Sequence, residues 1–273
     1  MSKIKLFNKN VIITGVSSGI GKELARILID DYNCKVFGIA RDENKILSFI
    51  KELKNPDKLS DYALFDIADE NCWKDLVNTL TQKNFTPDVL INCAGILPKF
   101  ANFEKCEIDD FKRVLEVNFL SCVYSTKHLM PLLKKSGFPC IVNVSSSSSL
   151  VDFAGITGYA SSKSALKSFT LCLASEIGKN GYVGCICPGF SSTDIYRSQS
   201  ASEKDLKLIN KFSTPPKKVA TKIVKAIIKK KKLKIIGYDA KLMNFFYKLM
   251  PKTTSKVITK FLKKSGLELF KDL

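Results

Sequence analysis

The chain has 273 residues, of which 45% are hydrophobic, and it carries a formal net charge of +18. Its length and apolar content are sufficient for a single domain with one large core. The only histidine, His128, argues against a Ser-His-Asp triad and against a multi-histidine metal site, so we expect no metal.

The cysteines and the N-terminal residues both predict a cytoplasmic protein. The nine cysteines form no C-x-x-C pair and no disulfide framework, which favours reduced thiols. Residues 1–10 precede the first apolar run and contain no hydrophobic segment of the kind that a secretory signal requires.

Seven short apolar, β-branched runs alternate with segments that have helical periodicity or helix-start signals. The runs lie near residues 10–14, 35–40, 61–65, 88–92, 140–144, 182–187 and 233–237. This alternation predicts an α/β fold in which a doubly wound, seven-stranded parallel sheet has helices on both faces. In such a sheet the ligand lies beyond the carboxyl ends of the strands.

A glycine-rich segment follows the first run. It reads Thr14-Gly15-Val16-Ser17-Ser18-Gly19-Ile20-Gly21. Glycines there let the backbone approach a pyrophosphate, and the helix that follows supplies free N–H groups and partial positive charge. The spacing is G-x-x-x-G-x-G and not the G-x-G-x-x-G of the general dinucleotide fingerprint, so the turn alone is weak evidence.

The end of the second run indicates which cofactor would fit. An NAD-binding protein places a carboxylate there to bind the ribose 2′-hydroxyl, but this chain has Ala40 and then Arg41. An arginine suits a 2′-phosphate, so the pattern favours NADP(H) over NAD(H), although Asp42 follows directly.

Tyr159 and Lys163 are four residues apart, so a helix would place both side chains on one face. A cation held beside a phenol favours the phenolate, which allows a tyrosine to exchange protons near neutral pH. Because Tyr-x-x-x-Lys is common by chance, its meaning depends on the motifs that accompany it.

Four further motifs accompany the predicted strands and helices. They are Asn92-Cys93-Ala94-Gly95, Asn118 in a helical stretch, the serine cluster 145–149, and Pro188-Gly189-Phe190-Ser191-Ser192-Thr193. Together with the glycine-rich segment, Tyr159 and Lys163, this ordered set resembles the short-chain dehydrogenase/reductase family. The resemblance covers roughly residues 8 to 195, with weaker similarity to about residue 237.

The resemblance implies a Rossmann-fold oxidoreductase that transfers a hydride between a nicotinamide and a carbonyl or alcohol substrate. Tyr159 would be the acid/base, Lys163 would hold the nicotinamide ribose, and Asn118 would position a water for proton relay. The other residues predicted to bind the cofactor are Gly15, Ser17, Ser18, Gly19, Ile20, Gly21, Arg41, Asp66, Ile67, Asn92, Ala94, Gly95, Pro188, Gly189 and Thr193. Helix capping is the alternative role for Asp66, and a simple turn is the alternative for Gly95.

Ser146 lies thirteen residues before Tyr159, at the position where the family usually has its serine. It would hydrogen-bond the substrate oxygen as charge develops there. Five consecutive serines leave Ser145 and Ser147 as alternatives. The chain departs from the family pattern at Ser149, where a glycine is common, and at Cys93, where a second asparagine is more frequent.

The substrate pocket is predicted to be mainly apolar, with residues 190–212 as a substrate lid. The candidate wall residues are Ile96, Leu97, Val151, Phe153, Phe190 and Tyr196, each of which could equally belong to the ordinary core. We expect a moderately hydrophobic ketone or alcohol, and the residues do not identify it further.

Positive charge is concentrated near the C-terminus, where residues 215–264 hold sixteen lysines and a single acid, Asp239. Two helices are predicted there, each with lysines opposite a broad apolar face. The apolar residues are Leu242, Met243, Phe245, Phe246, Leu249 and Met250 before Pro251, and Val257, Ile258, Phe261 and Leu262 after it. Such helices suit an anionic membrane surface, but they are too short and too charged to span a bilayer.

Alternatively, the apolar faces pack on the core or on a subunit of a homo-oligomer, dimer or tetramer. No nucleic-acid binding is expected, because no recognition motif accompanies the charge. The sequence thus predicts an oxidoreductase domain at residues 1–237 and a basic amphipathic extension at residues 238–273. The competing functions are a lipid-ketone reductase at a membrane, a membrane-surface scaffold, and a non-catalytic NADP-binding regulator, which the retained Tyr159 and Lys163 disfavour.

Overall fold

The β-branched runs form one parallel sheet in the computed structural model, which describes residues 3–193, 195 and 202–273. The strands are β1 (Asn10–Thr14), β2 (Lys35–Ala40), β3 (Leu59–Leu64), β4 (Val89–Asn92), β5 (Cys140–Val144), β6 (Tyr182–Pro188) and β7 (Leu233–Ile236). Their order in the sheet is β3-β2-β1-β4-β5-β6-β7. The predicted doubly wound α/β fold is confirmed, and its winding reverses between β1 and β4.

Helices cover both faces of this sheet. They are α1 (Gly19–Asp30), α2 (Glu43–Lys51), α3 (Glu70–Gln82), α4 (Ile108–Leu115), α5 (Ser121–Lys135), α6 (Thr157–Ile177), α7 (Glu203–Phe212), α8 (Pro216–Ile228), α9 (Tyr238–Leu249) and α10 (Pro251–Lys264). Helices α1 and α8 pack on one face, and α3 and α5 pack on the other. None of the described helices is long and apolar enough to cross a membrane.

Strand residues divide between two buried clusters because successive side chains of a strand point to opposite faces. In β1, Val11 and Ile13 enter the cluster under α1 and α8, whereas Ile12 enters the cluster under α3 and α5. Trp73 of α3 is fully buried in the second cluster, and its indole N–H donates to the Ile67 carbonyl oxygen at 2.8 Å. The sheet is therefore held rigidly between two apolar layers.

A third apolar cluster joins the predicted C-terminal extension to the rest of the chain. Leu262, Leu269 and Phe270 pack there against Leu97 and Phe100. Residues 268–273 also run beside the segment after β4, where Asn102 N–H donates to the Asp272 carbonyl oxygen at 3.2 Å. The division at residue 237 stays a prediction, and in the structure the extension shares a core with the sheet domain.

The apolar faces predicted for the C-terminal helices divide between the core and the solvent. Ile258 and Leu262 of α10 pack into the third cluster, and Ala240 of α9 is fully buried. The residues that remain exposed are Leu242, Phe245, Phe246, Leu249, Met250, Val257 and Phe261. Packing on the core therefore covers only part of this apolar surface.

Candidate active site

The carboxyl ends of six neighbouring strands, β1 to β6, surround a cleft of about 420 Å³. Most of the predicted site residues line this cleft. They are Gly15, Ser17, Ser18, Gly19, Ile20, Gly21, Arg41, Asp66, Ile67, Ala94, Gly95, Ser146, Tyr159, Lys163, Pro188, Gly189 and Thr193. Asn92 and Asn118 lie behind its surface.

The glycine-rich segment forms a backbone cradle at the end of β1. Gly15 and Gly19 have positive φ angles of 76° and 53°, which residues with a Cβ rarely adopt. A Cβ on Gly21 would lie 2.2 Å from the Gly15 carbonyl oxygen, so no side chain fits at that position. Helix α1 begins at Gly19, and the N–H groups of its first turn have no partner within the helix. The cradle can therefore hold a phosphate group.

Two cations line the cleft beyond β2. Arg41 is predicted from its position after the strand, whereas Lys45 comes from the first turn of α2 and reaches the cleft only in the folded chain. The carboxylate of Asp42 caps α2, since it accepts a hydrogen bond from the Lys45 N–H at 3.1 Å. This end of the cleft therefore offers two cations to a ligand, with the Asp42 carboxylate 3.9 Å from the Lys45 Nζ.

Asp66 lines the cleft just after β3. One carboxylate oxygen accepts a hydrogen bond from the Ala68 N–H at 3.1 Å, and the other pairs with Arg113 of α4. Partial burial raises the pKa of the Asp66 carboxyl, but Ala68 and Arg113, with a contribution from Arg41, hold that pKa below its usual value. Helix capping is not its role, because Asp69 caps α3.

Tyr159 and Lys163 lie together on α6 at the base of the cleft. The Lys163 Nζ is 5.9 Å from the centre of the Tyr159 ring and donates to the Val144 carbonyl oxygen at 3.0 Å. Lys163 is only 4% exposed, and a Cβ on Gly95 would lie 3.3 Å from its Nζ. The ammonium is thus fixed between β5 and the segment after β4, beside the phenol.

Cys93 also lines the cleft, close to Lys163. Burial raises the pKa of the Cys93 thiol to about 12, although the lysine charge acts in the opposite direction. The thiol is therefore neutral at pH 7 and is a poor nucleophile. All nine cysteines are free thiols in the structure.

The serine cluster follows β5, and its hydroxyl groups have different partners. Ser145 donates to the Lys163 carbonyl oxygen at 2.8 Å, which ties it to α6. Ser146 accepts a hydrogen bond from the Ser148 N–H at 3.1 Å and caps a short 3₁₀ turn, Ser147–Ser149. Both Ser146 and Ser147 line the cleft together with Tyr159. The substrate-binding role of Ser146 stays a prediction.

Asn118 is fully buried in a π-helical turn, Glu116–Leu120, between α4 and α5. Its amide oxygen accepts from the Ile96 N–H at 2.8 Å, and its amide nitrogen donates to the Ile96 carbonyl oxygen at 2.9 Å. The same nitrogen donates to the Ser162 hydroxyl at 3.2 Å. Asn118 therefore positions the segment after β4 against α6, and its role in proton relay stays a prediction.

The Asn92 side chain lies behind the cleft, and its predicted role beside the cofactor stays a prediction. Its side chain does not line the cleft, because it points into a buried chain of polar groups. The Asn92 amide nitrogen donates to the Asn143 Oδ1 at 2.8 Å, and the Ser125 hydroxyl donates to the Asn92 Oδ1 at 2.9 Å. In the structure the Asn92 side chain thus connects β4 to β5 and α5 beneath the cleft.

One end of the cleft, named the substrate end for the role that the sequence predicts, has an apolar wall. This wall is made of partly different residues from those predicted. Ile96, Leu97, Phe153 and Phe190 line it, together with four residues that were not predicted. Those four are Phe100, Ile156, Ile195 and Met243. The prediction for Val151 is wrong, since that side chain is 1% exposed and does not reach the cleft. Tyr196 and residues 194 and 197–201 of the predicted lid lie outside the described residues.

A phosphate cradle at one end of the cleft and a phenol-ammonium pair at the other define a nicotinamide-dependent oxidoreductase of the doubly wound class. Comparison with known proteins places the chain within that class. Residues 9–204 match the family model described as short chain dehydrogenase. The chain belongs to this family and is an NAD(P)-dependent oxidoreductase acting on carbonyl or alcohol substrates.

Two curated relatives are reductases of different substrates. A 3-dehydrosphinganine reductase of Danio rerio is 32% identical over 233 residues, covering 81% of this chain and 69% of that protein. A benzil reductase ((S)-benzoin forming) of Saccharomyces cerevisiae is 34% identical over 196 residues, covering 69% of this chain and 74% of that protein.

Solved structures share the fold. A short chain dehydrogenase of Escherichia coli CFT073, solved in complex with NADPH, matches with a TM-score of 0.74. The match covers 85% of this chain and 98% of that chain at 22% sequence identity.

Proposed function

We propose that the protein is an NADP(H)-dependent reductase of a moderately hydrophobic ketone, with Tyr159 as the acid/base group. The observation that carries the proposal is the rigid pairing of Tyr159 with the buried Lys163 at the junction of the cradle and the apolar end. The phenol faces the same cleft as the phosphate cradle, so one bound cofactor and one substrate could meet beside it.

The residues that are present fit NADP(H). The turn from Gly15 to Gly21 would hold the pyrophosphate, and Arg41 with Lys45 would hold a 2′-phosphate. Asp42 is compatible with the phosphorylated cofactor, because its carboxylate caps α2 and does not line the cleft, although it lies 3.9 Å from the Lys45 Nζ. When bound, NADPH supplies the hydride for reduction of a carbonyl.

The side chains around the reacting carbonyl would bind it, orient it and supply a proton. Tyr159 would donate its phenolic proton to the developing alkoxide, while Lys163 stabilises the resulting phenolate. Ser146 would donate a hydrogen bond to the same oxygen and so stabilise the charge that develops on it. Asn118 would act indirectly, because its side chain holds the segment that carries Gly95 and Ile96 in place.

A lipid-like ketone is the second candidate substrate, favoured by the wall of the substrate end. Leu97, Phe100, Phe153, Ile156 and Met243 present an almost continuous apolar surface there. One relative is a reductase of 3-dehydrosphinganine by its printed name, and the lipid-like alternative rests on that likeness as well as on this wall. A cytoplasmic location and a homo-oligomer stay predictions.

An NADPH-oxidation screen across ketones of graded chain length, including lipid-like ones, would test the proposed function. We expect turnover with apolar ketones and a loss of about 10²-fold or more in Tyr159→Phe, because general acid catalysis contributes on that order. The dissociation constant for NADPH should hardly change in this variant, since the hydroxyl contributes little to cofactor binding.

Two further variants make the screen specific. Lys163→Met should weaken both turnover and NADPH binding, whereas Tyr238→Phe, at a site that is 80% exposed, is the matched control and should retain the parental rate. A Tyr159→Phe protein that reduces an established ketone at nearly the parental rate would rule out the proposed acid/base group. NADPH binding without turnover on any ketone would instead support the non-catalytic regulator.

A further inference from the structure

An apolar surface on the outer side of α9 and α10 has no partner in the described part of the chain. Leu242, Phe245 and Leu249 follow one another at helical spacing and face outward, with Phe245 57% exposed and Leu249 64% exposed. Phe261 of α10, 71% exposed, extends the surface onto the neighbouring helix. Several large apolar side chains exposed on two adjoining helices are more typical of an interaction site than of an ordinary surface.

Polar contacts on the inner side fix the orientation of these helices. Asp239, at the start of α9, accepts a hydrogen bond from the Phe190 N–H at 2.8 Å. The Tyr247 hydroxyl donates to the Asp152 carboxylate at 2.6 Å, and the Ala154 N–H donates to the Thr259 hydroxyl at 3.3 Å. These contacts fix both helices against the rest of the chain. The apolar residues on their outer side therefore face the solvent in the folded protein.

Lysines surround the apolar residues. The seven between residues 238 and 264, all exposed, are Lys241, Lys248, Lys252, Lys256, Lys260, Lys263 and Lys264. Within the described residues none of them forms an ion pair with an acid. Asp239 is the one acid of the stretch, and its carboxylate is turned inward to Phe190. The outer surface thus combines large apolar side chains with uncompensated positive charge.

We propose that the outer face of α9 and α10 docks onto an anionic lipid membrane. The apolar side chains would enter the acyl boundary, and the lysines would lie at the level of the headgroups, as in interfacial amphipathic helices. A second copy of this chain is a poorer occupant, because a symmetric contact would bring two sets of seven lysines together. A nucleic acid would neutralise the lysines but would leave Leu242, Leu249 and Val257 exposed.

The same helix borders the cleft. Met243 lies on the inner side of α9 and lines the substrate end, while Phe245 and Phe246 lie on the outer side. Docking would therefore place the apolar end of the cleft next to the bilayer. The docking itself does not depend on the reaction, because none of the outer residues belongs to the predicted catalytic or cofactor set.

Vesicle sedimentation of the full chain, without substrate, would test the docking. We expect binding to vesicles of phosphatidylserine and phosphatidylcholine, weaker binding at high salt, and little binding to phosphatidylcholine alone. A triple variant, Lys256→Gln, Lys260→Gln and Lys264→Gln, should bind about a hundredfold more weakly, because each surface lysine contributes a few-fold to tenfold.

The matched control removes the same charge elsewhere. Lys229→Gln, Lys231→Gln and Lys232→Gln change exposed lysines at the turn before β7, at the edge of the sheet opposite the cleft, and should bind like the parent. A second variant, Phe245→Ser with Phe261→Ser, should lose vesicle binding at low salt as well.

Several outcomes would overturn the docking proposal. They are an absence of binding to phosphatidylserine vesicles, equal loss in both lysine triples, and unchanged binding in the phenylalanine variant. If the phenylalanine variant instead shifts the sedimentation coefficient while vesicle binding is absent, the surface is a contact between copies of this chain. NADPH titration of every variant tests whether it is folded. Because the vesicle assay uses no substrate, its outcome is independent of whether the proposed reduction occurs.

Discussion

Arg41 and Lys45 together should determine the choice of cofactor. A charge-assisted hydrogen bond contributes about 1.5–3 kcal/mol net, so the parent should bind NADPH at least about tenfold more tightly than NADH. Arg41→Ala should remove most of this difference in affinity. Lys45→Ala should remove a smaller part, since the lysine side chain is flexible and carries a point charge, whereas the arginine guanidinium can form two hydrogen bonds to a phosphate.

Calorimetric titration with both cofactors would measure this preference, with Lys51→Ala at the exposed end of α2 as the control. Equal affinity of the parent for NADPH and NADH would contradict the prediction. A preference that survives Arg41→Ala but not Lys45→Ala would reassign the 2′-phosphate to Lys45.

The two cations differ in how well the sequence predicts them. Arg41 follows β2 directly, and in a doubly wound sheet that position borders the ligand. Lys45 and Arg113 come from helices, and only tertiary packing brings one to the cleft and the other to Asp66. Asn92 shows the opposite case: it ends the apolar strand β4 at the edge of the cleft, but its side chain is buried beneath the site.

At the scale of elements, a buried chain of polar side chains ties α5, β4, β5 and α6 together. Ser125 donates to Asn92, and Asn92 donates to Asn143, which is its partner in the register of β4 and β5. Asn143 then donates to the Thr170 hydroxyl at 2.9 Å, seven residues beyond Lys163 on α6. The chain helps to hold the helix of Tyr159 and Lys163 against the sheet.

Asn143→Leu should therefore destabilise the fold by about 1–3 kcal/mol, because it leaves the amide nitrogen of Asn92 buried without an acceptor. The Thr170 hydroxyl loses the bond from Asn143 but still donates to the Leu166 carbonyl oxygen. The double variant Asn92→Leu with Asn143→Leu should cost less than the sum of the single variants, since the unpaired amide is removed as well. Urea unfolding would measure each free energy of unfolding.

The control is Asn78→Leu on the exposed side of α3, which should change the free energy of unfolding by no more than about 0.5 kcal/mol. If the double variant loses as much free energy of unfolding as the two single variants together, Asn92 and Asn143 are not coupled, and the prediction is contradicted.

The sequence predicts the strands well because their apolar, β-branched runs are local patterns. The seven strands lie within two residues of the apolar, β-branched runs, because a sheet covered on both faces requires such runs. The π-helical turn at Asn118 has no local signal in the sequence. Amphipathicity likewise predicted α9 and α10 but not their orientation, since Asp239 and Tyr247 turn the larger apolar face outward through contacts with distant residues.

At the scale of the whole molecule, the site is assembled from both ends of the chain. The phosphate cradle comes from residues 15–21, and the substrate end is supported by residues 268–273. The Phe270 ring packs edge-on against Phe100, which lines the cleft, with ring centres 4.8 Å apart. The Leu269 N–H donates to the Asp205 carboxylate at 3.2 Å, which connects this segment to α7.

Phe270→Ala should therefore affect the substrate end and leave the cofactor end unchanged. The lost ring leaves Phe100 without its aromatic neighbour, and aromatic pairs contribute about 0.5–1.5 kcal/mol beyond their buried area. We expect KM for an apolar ketone to rise by about tenfold, which corresponds to roughly 1.4 kcal/mol, while the dissociation constant for NADPH stays within about twofold. Steady-state kinetics with the best ketone from the screen and NADPH titration would measure the two quantities, with exposed Lys271→Ala as the control. If NADPH affinity falls while KM for the ketone is unchanged, residues 268–273 support the cofactor end, and the apolar third cluster does not shape the substrate pocket.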